Sequence, residues 1–119
     1  MNLSEAGRAA FVCYRQLDEL VRVVDGYGAK FAEVFATAVS IDSYNRILAR
    51  VKECVSADPV FAKAIEHLQE VPKDFKSLGG DRIWGMLKAD ASVLRATLHT
   101  FIELYLTAEE KKKVIGFQA

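Results

Sequence analysis

The two histidines, His67 and His99, are the candidate metal ligands of this chain. A di-iron site in a helical bundle takes Glu-x-x-His pairs from two helices, with a further Glu from each of the others. Ala64 stands three positions before His67. Ala96 stands three positions before His99. His99 and Glu103 share the polar face of one predicted helix, which is typical of a solvated surface. No metal and no cofactor are therefore predicted.

The two cysteines, Cys13 and Cys54, are the candidates for nucleophilic chemistry. Both fall on the apolar stripe of a predicted helix, where a thiol behaves as a small inert hydrophobe. A catalytic cysteine needs an activating base beside it, and both histidines face the polar side of their helices. Their spacing gives no C-x-x-C motif, and an intracellular disulfide is not expected. The sequence therefore favours a protein that is not an enzyme, and leaves open whether the two side chains meet.

Four polar residues in the middle of the chain are candidates for nucleic-acid contacts. Residues 31–55 have the layout of a loose helix-turn-helix, with a predicted break at 40–42. The second of its helices carries four side chains of the types that contact bases and phosphates: Asn45, Arg46, Arg50 and Lys52. Asp42 and Glu53 dilute the positive charge of this face, and the turn lacks the usual glycine. A nucleic-acid-binding regulator is therefore an alternative, not the favoured function.

Glycine, proline and capping residues divide the chain into helical segments. The clearest start is Asp58 followed by Pro59, with Asp as the N-cap and Pro in the first turn. The predicted helices span residues 4–25, 29–39, 43–56, 59–71 and 82–106, and a short helix starts at Thr107. Sustained alternation of apolar and polar residues, the mark of a strand, is not found. The prediction is an all-α fold, a compact bundle of about five helices plus a short C-terminal helix, with residues 1–119 forming one domain.

Apolar residues at helical spacing predict which side of each helix is buried. In the first helix these are Ala10, Cys13, Tyr14, Leu17, Leu20, Val21 and Val24. In the longest helix they are Ile83, Leu87, Ala91, Leu94, Leu98, Phe101, Ile102 and Tyr105. The stripe of residues 31–38 and that of residues 44–55 would point about 150° apart on one straight helix. Ser40 and Asp42 are good N-cap types, so a break between two helices is predicted there.

Composition limits the classes of protein to which the chain can belong. It has 16 basic and 16 acidic residues, which gives no overall field to attract nucleic acid or anionic membranes. Hydrophobic residues make up 51% of it, which excludes a disordered chain and leaves apolar surface for a partner. No uninterrupted apolar stretch reaches about 18 residues, and the N-terminus does not read as a signal peptide. A cytoplasmic protein without membrane association is expected.

Apolar residues that lie off the main stripe of the first helix indicate a protein interface. Phe11 falls among charged residues, and Val12 and Val23 also lie outside the stripe. The favoured function is a non-catalytic protein–protein interaction module, a homo-oligomer that self-associates through the first helix.

A second alternative is a bundle that holds an apolar ligand or cofactor between its helices. Its lining would include Phe35, Phe61 and Trp84. Aromatic residues at helical spacing are far more often core residues, so this alternative ranks below the others.

Overall fold

The computed structural model describes residues 3–27, 34–72 and 80–106. Within those ranges the regular elements are four helices and no strand. They are α1 (Leu3–Tyr27), α2 (Val34–Val55), α3 (Pro59–Ala64) and α4 (Gly80–Tyr105). The all-α prediction is confirmed, whereas the described residues hold four helices where about five were predicted. The predicted helix from Thr107 lies outside them. None of the described helices is long and apolar enough to cross a membrane.

The predicted apolar stripes of α1 and α4 form most of the hydrophobic core. All predicted stripe residues of both helices are buried except Val21 and Tyr105, which are half-buried and pack against the core. The bounds of each helix lie within two residues of the prediction. Periodicity therefore located both the helices and their buried sides, because one face of each is covered along its whole length.

The helices α1 and α4 are antiparallel and in close contact at both ends. At one end the Trp84 indole N–H donates a hydrogen bond of 2.9 Å to the Val24 carbonyl. At the other, a Cβ built on Gly7 would lie 3.2 Å from the Leu106 side chain and 3.3 Å from the Tyr105 carbonyl oxygen. Glycine at position 7 therefore allows the closest approach of these two helices.

The predicted break at residues 40–42 is wrong, because residues 34–55 form one continuous helix. Ser40 is not an N-cap but a buried residue of this helix. Asp42 accepts a hydrogen bond from Arg46 one turn later, which is a pairing within a helix. Neither residue type stops a helix, as Gly or Pro would. The side chains of Phe31, Val34, Phe35 and Ala38, which suggested the break, lie outside the described side chains.

The helix α3 begins as predicted and ends earlier than predicted. The Asp58 carboxylate accepts hydrogen bonds from the backbone N–H groups of Val60 and Phe61, so Asp58 is the N-cap. The helix ends at Ala64 instead of continuing to residue 71. Residues 65–72 then run beside α2, where Ile65, Leu68 and Val71 are buried in the core. Burial of these three side chains offsets the loss of the last helical turns.

Candidate functional site

A groove of about 500 Å³ lies between α1 and α2. We call it the α1–α2 groove. Its lining residues are Gln16, Glu19, Leu20 and Val23 from α1, and Val39, Ser40, Ser43, Arg46, Ile47 and Arg50 from α2. The α1 residues recur at spacings of three and four, which places them on one side of the helix. The lining residues of α2 follow the same spacing over three helical turns. Each wall of the groove is therefore one continuous face of a helix.

The groove has a buried apolar floor and an exposed apolar rim. Leu20 and Ile47 are almost fully buried and form the floor. Val23 is 40% exposed and Val39 is 51% exposed. Val12, which is 50% exposed, lies eleven residues before Val23, and about three turns of helix bring the two to the same side of α1. Two exposed valines, Val23 and Val39, therefore border the groove, and Val12 lies beyond it on the same side of α1.

The two walls of the groove carry opposite charges. Glu19 is the charged residue that α1 contributes, whereas α2 contributes Arg46 and Arg50. Arg46 also pairs with Asp42 on the solvent side of α2, where both side chains are mostly exposed. Such an exposed pair is weak and does not prevent Arg46 from binding another group.

The predicted interface residues do not all lie at this groove. Val23 lines it and Val12 lies on the same side of α1. Phe11 is half-buried and packs against the core, about 100° around α1 from Val12. Val39 was missed, although it has the same signal as Val12 and Val23, an apolar residue off the buried stripe. The predicted end of a helix at residue 39 concealed that signal.

Two of the four residues predicted to contact nucleic acid, Asn45 and Lys52, bind other parts of the fold, and the other two lie at the groove. The Asn45 side-chain amide donates to the Val71 carbonyl at 3.1 Å and accepts from the Val71 N–H at 2.8 Å. The Lys52 ammonium donates to the Leu68 carbonyl at 2.6 Å. Arg46 and Arg50 line the groove. Since residues 34–55 are one helix, the helix-turn-helix layout predicted at 31–55 is a further error that follows from the false break.

The polar face of α4 was predicted to be solvated, but part of it forms ion pairs with α1. Arg95 pairs with Asp18 at 3.0 Å, and Lys88 pairs with Asp25 at 2.9 Å. The Arg95 guanidinium also lies 5.5 Å from the centre of the Tyr14 ring. These contacts lie along one edge of the α1–α4 packing and join the two helices there.

The histidine on this face has a carboxylate neighbour, as its spacing predicted. His99 Nδ1 lies 3.5 Å from a carboxylate oxygen of Glu103. Its ring centre is 5.9 Å from that of Tyr14, at the side of a small pocket of about 290 Å³. In the part of the chain that the structure describes, no group of three or more His, Cys, Asp or Glu residues is placed to hold a metal ion.

The residues proposed to line an apolar ligand pocket lie at opposite ends of α4. Phe61 packs edge-on against Phe101, with ring centres 5.2 Å apart, near the C-terminal end of that helix. Trp84 is in its first turns and bonds to Val24. The side chain of Phe35 lies outside the described side chains. Phe61 and Trp84 are therefore packing residues of two separate regions and do not line one pocket.

Polar groups between α2, α4 and the segment after α3 have shifted pKa values. The Tyr44 side chain is fully buried, and its hydroxyl finds no hydrogen-bond partner among the described residues. Burial and the nearby Asp90 carboxylate raise the pKa of Tyr44. Burial also raises the pKa of Asp90, which His67 partly offsets. The raised pKa values mean that the ionised forms of Tyr44 and Asp90 are destabilised in the folded protein.

A second pair of shifts lies at the start of α3. The Tyr105 hydroxyl donates a hydrogen bond to the Asp58 carboxylate that caps the helix. This bond lowers the pKa of Asp58 and raises the pKa of Tyr105. It joins the start of α3 to the end of α4, and so has a structural role.

The two cysteines, whose relation the sequence left open, lie together in the core. Cys13 of α1 and Cys54 of α2 are both buried and neither is in a disulfide. Their side chains face each other and interact within the core. The contact lies one helical turn from Gln16 and Arg50, the groove residues nearest to it along each helix.

This chain has no counterpart among the known proteins with which it was compared. No family model matches the chain, and neither a curated protein nor a solved structure matches it.

Proposed function

We propose that this chain is a helical protein–protein interaction module and that two copies associate through the α1–α2 groove. The observation that supports this most is the pair of exposed valines that face each other across the groove, Val23 on α1 and Val39 on α2, with Val12 exposed further along the same side of α1. Aliphatic side chains that border a concave apolar surface form the kind of patch that protein interfaces cover. Covering them removes apolar area from water, which is the main driving force for association.

The charges of the groove favour a second copy of the chain as the partner. In a two-fold dimer the same patch of each copy meets the other, in reversed order. With the two-fold axis along the groove, the α1 wall of one copy faces the α2 wall of the other, so Glu19 lies opposite the partner's Arg46 and Arg50. The same match occurs twice. A strongly acidic or strongly basic partner would be repelled by one wall of the groove.

A two-fold contact through the groove also limits the size of the assembly. Each copy uses its groove to cover the groove of the other, so the contact closes on itself. The proposal is therefore a dimer and not a filament or a larger ring.

The test is a sedimentation equilibrium experiment on the full chain and on Val23→Glu. The wild-type chain is expected to reach twice the mass of one chain as its concentration rises. Val23→Glu places a charge on the apolar rim of the covered surface and should weaken association on the order of a hundredfold. Circular dichroism should show the same helicity for both proteins, because Val23 is partly exposed in the single chain.

The matched control is Val93→Glu on α4. Val93 is 40% exposed, as is Val23, and it lies on a helix face that also exposes Leu104. The control should associate like the wild-type chain. A wild-type chain that remains monomeric would contradict the proposal. Loss of association in Val93→Glu with normal association in Val23→Glu would instead assign the contact to α4.

A further inference from the structure

The two facing cysteines, Cys13 and Cys54, form a chemical group that the proposed function does not use. Cys13 is 0% exposed and Cys54 is 1% exposed, and they come from the two helices that form the groove. The residues one turn away on each helix, among them Ala10, Leu17 and Val51, are also buried in the core. Packing alone does not require thiols at these two positions, because alanine or valine would fill the same space without a reactive group.

We propose that Cys13 and Cys54 are a site of reversible thiol oxidation, at which a peroxide converts the two thiols into a disulfide that joins α1 to α2. In proteins of reducing compartments, disulfides that do form are usually transient and redox-sensing. The inference rests on the contact between the two side chains and does not depend on self-association.

The reaction balances with hydrogen peroxide as the only oxidant. The thiolate of one cysteine attacks a peroxide oxygen, the O–O bond breaks, and a sulfenic acid and water are formed once the proton is counted. The second sulfur then attacks the sulfenic sulfur and displaces its oxygen, which leaves as a second water with the remaining thiol proton. The two thiols lose two protons and two electrons, and one peroxide takes up both and is reduced to two waters.

The surroundings of the two sulfurs assign them different roles. The interaction with Cys13 lowers the pKa of Cys54, and the Arg50 guanidinium, which belongs to the preceding turn of α2, lowers it further. The interaction with Cys54, together with burial, raises the pKa of Cys13. Since the thiolate is the reactive form, Cys54 attacks the peroxide and Cys13 resolves the sulfenic acid.

The groove provides a short route for a small oxidant to the pair. Its walls include Gln16, three residues after Cys13, and Arg50, four residues before Cys54. The end of the groove is thus one helical turn from the thiols on both helices. Hydrogen peroxide is close to water in size, so a small separation of α1 from α2 is enough to admit it.

The test uses the full chain, reduced and then freed of reductant, and treated with hydrogen peroxide at an equimolar amount. Intact-mass measurement should show the loss of two hydrogen atoms from a single chain. Trypsin digestion without reductant should give peptide 9–15, which contains Cys13, joined to peptide 53–63, which contains Cys54. Dithiothreitol should restore the original mass and separate the peptides.

Other products would overturn the inference. Gain of oxygen atoms without a link between the two peptides would show that the thiols do not resolve each other. A covalent dimer would place the link between chains. A native chain that stays unmodified, while the chain in urea becomes linked, would show that the folded core excludes the reaction.

Single variants test the separate roles of the sulfurs. In Cys13→Ser, Cys54 should stop at the sulfenic acid and be trapped by dimedone. In Cys54→Ser, Cys13 should remain a thiol at the same dose of peroxide. The opposite result would refute the assignment of Cys54 as the attacking sulfur. The wild-type peptide link remains a test of the site if either variant fails to fold.

Discussion

Along the edge that α1 shares with α4, two ion pairs bridge the helices, whereas the edge that it shares with α2 opens into a groove. Asp18 and Asp25 of α1 reach Arg95 and Lys88 on the α4 side. On the α2 side, the corresponding positions carry valines that remain about half exposed. Helix α1 is thus bound by α4 of its own chain along one edge, and it leaves apolar surface exposed along the edge that it shares with α2.

Under the proposed dimer, stability depends on the α4 edge of α1 and association on the α2 edge. The ion pairs of the α4 edge are partly exposed and screened by solvent, and contribute only about 0.5 kcal/mol each. Most of the stability of that edge comes from buried apolar area and from the close contact at Gly7 and Trp84. Changes at the α4 edge should therefore alter folding, and changes at the α2 edge should alter association.

The largest effect is expected for Trp84→Ala, which removes a ring packed between the ends of α1 and α4. Unfolding in urea should show a loss of about 3 kcal/mol, because packing, the bond to Val24 and the Lys88 contact 4.9 Å above the ring are all lost. The control Trp84→Phe keeps a ring and loses the N–H donor, so its loss should be about 1 kcal/mol. Equal losses for the two variants would show that the hydrogen bond, and not the packing, holds this end.

The next largest effect on stability is expected from alanine substitutions at two helical glycines, Gly7 and Gly85. Gly7→Ala places a Cβ against the Tyr105 carbonyl and the Leu106 side chain, whereas a Cβ at Gly85 meets nothing within 4 Å. Gly85→Ala should stabilise the protein by about 1 kcal/mol through helix propensity. Gly7→Ala should be less stable than Gly85→Ala by about 2 kcal/mol, because α1 and α4 must move apart. If both variants gain stability equally, the two helices do not touch at position 7.

The smallest effect is expected at Asp90, between α4 and α2, and it depends on pH. The folded-state pKa of Asp90 is raised above its ordinary value of 3.8. The Asp90 carboxyl group therefore stabilises the folded protein at pH values below its ordinary pKa of 3.8. This contribution to the free energy of unfolding is lost as the pH rises through the raised folded-state pKa. Asp90→Asn should stabilise the protein at pH 7, by less than about 1 kcal/mol because solvent screens a partly buried group.

The comparison for Asp90→Asn is the wild-type chain, unfolded in urea at pH 3 and at pH 7. The stability difference between the two proteins should be larger at pH 7. A difference of the same size at both pH values would contradict the raised pKa. Tyr44→Phe is the companion variant, since it removes the buried hydroxyl that lies near this carboxylate.

The sequence predicted the elements whose signals are local. Periodicity located α1 and α4, and Asp58 with Pro59 located the start of α3. Each of these signals depends on residues within a few positions of one another, so no knowledge of the rest of the fold is needed.

The errors arose where contacts between distant residues decide the structure. The end of α3 depends on Asn45 and Lys52, which bind the backbone of residues 68–71 across the fold. The false break at 40–42 came from a different source, since the apolar stripes of residues 31–38 and 44–55 would point about 150° apart on one helix. Ser40 and Asp42 are cap types that supported the break, although both residue types are tolerated within a helix.

The candidate site was predicted only in part, for the same reason. Val12 and Val23 were identified because an apolar residue off the buried stripe can be seen in one helix alone. The groove needs Val39 and two arginines from a second helix, and periodicity gives the faces of a helix but not its neighbours. The meeting of Cys13 and Cys54 could not be deduced either, since it depends on the pairing of α1 with α2.

The most direct test of association through the α1–α2 groove is side-chain footprinting by hydroxyl radicals, on the wild-type chain at low and at high concentration. Self-association through the groove predicts that Val23 and Val39 become less reactive as the concentration rises. It also predicts that Val93 and Leu104 on α4 keep the same reactivity. Unchanged reactivity at Val23 and Val39, with protection of the two α4 residues, would contradict the account.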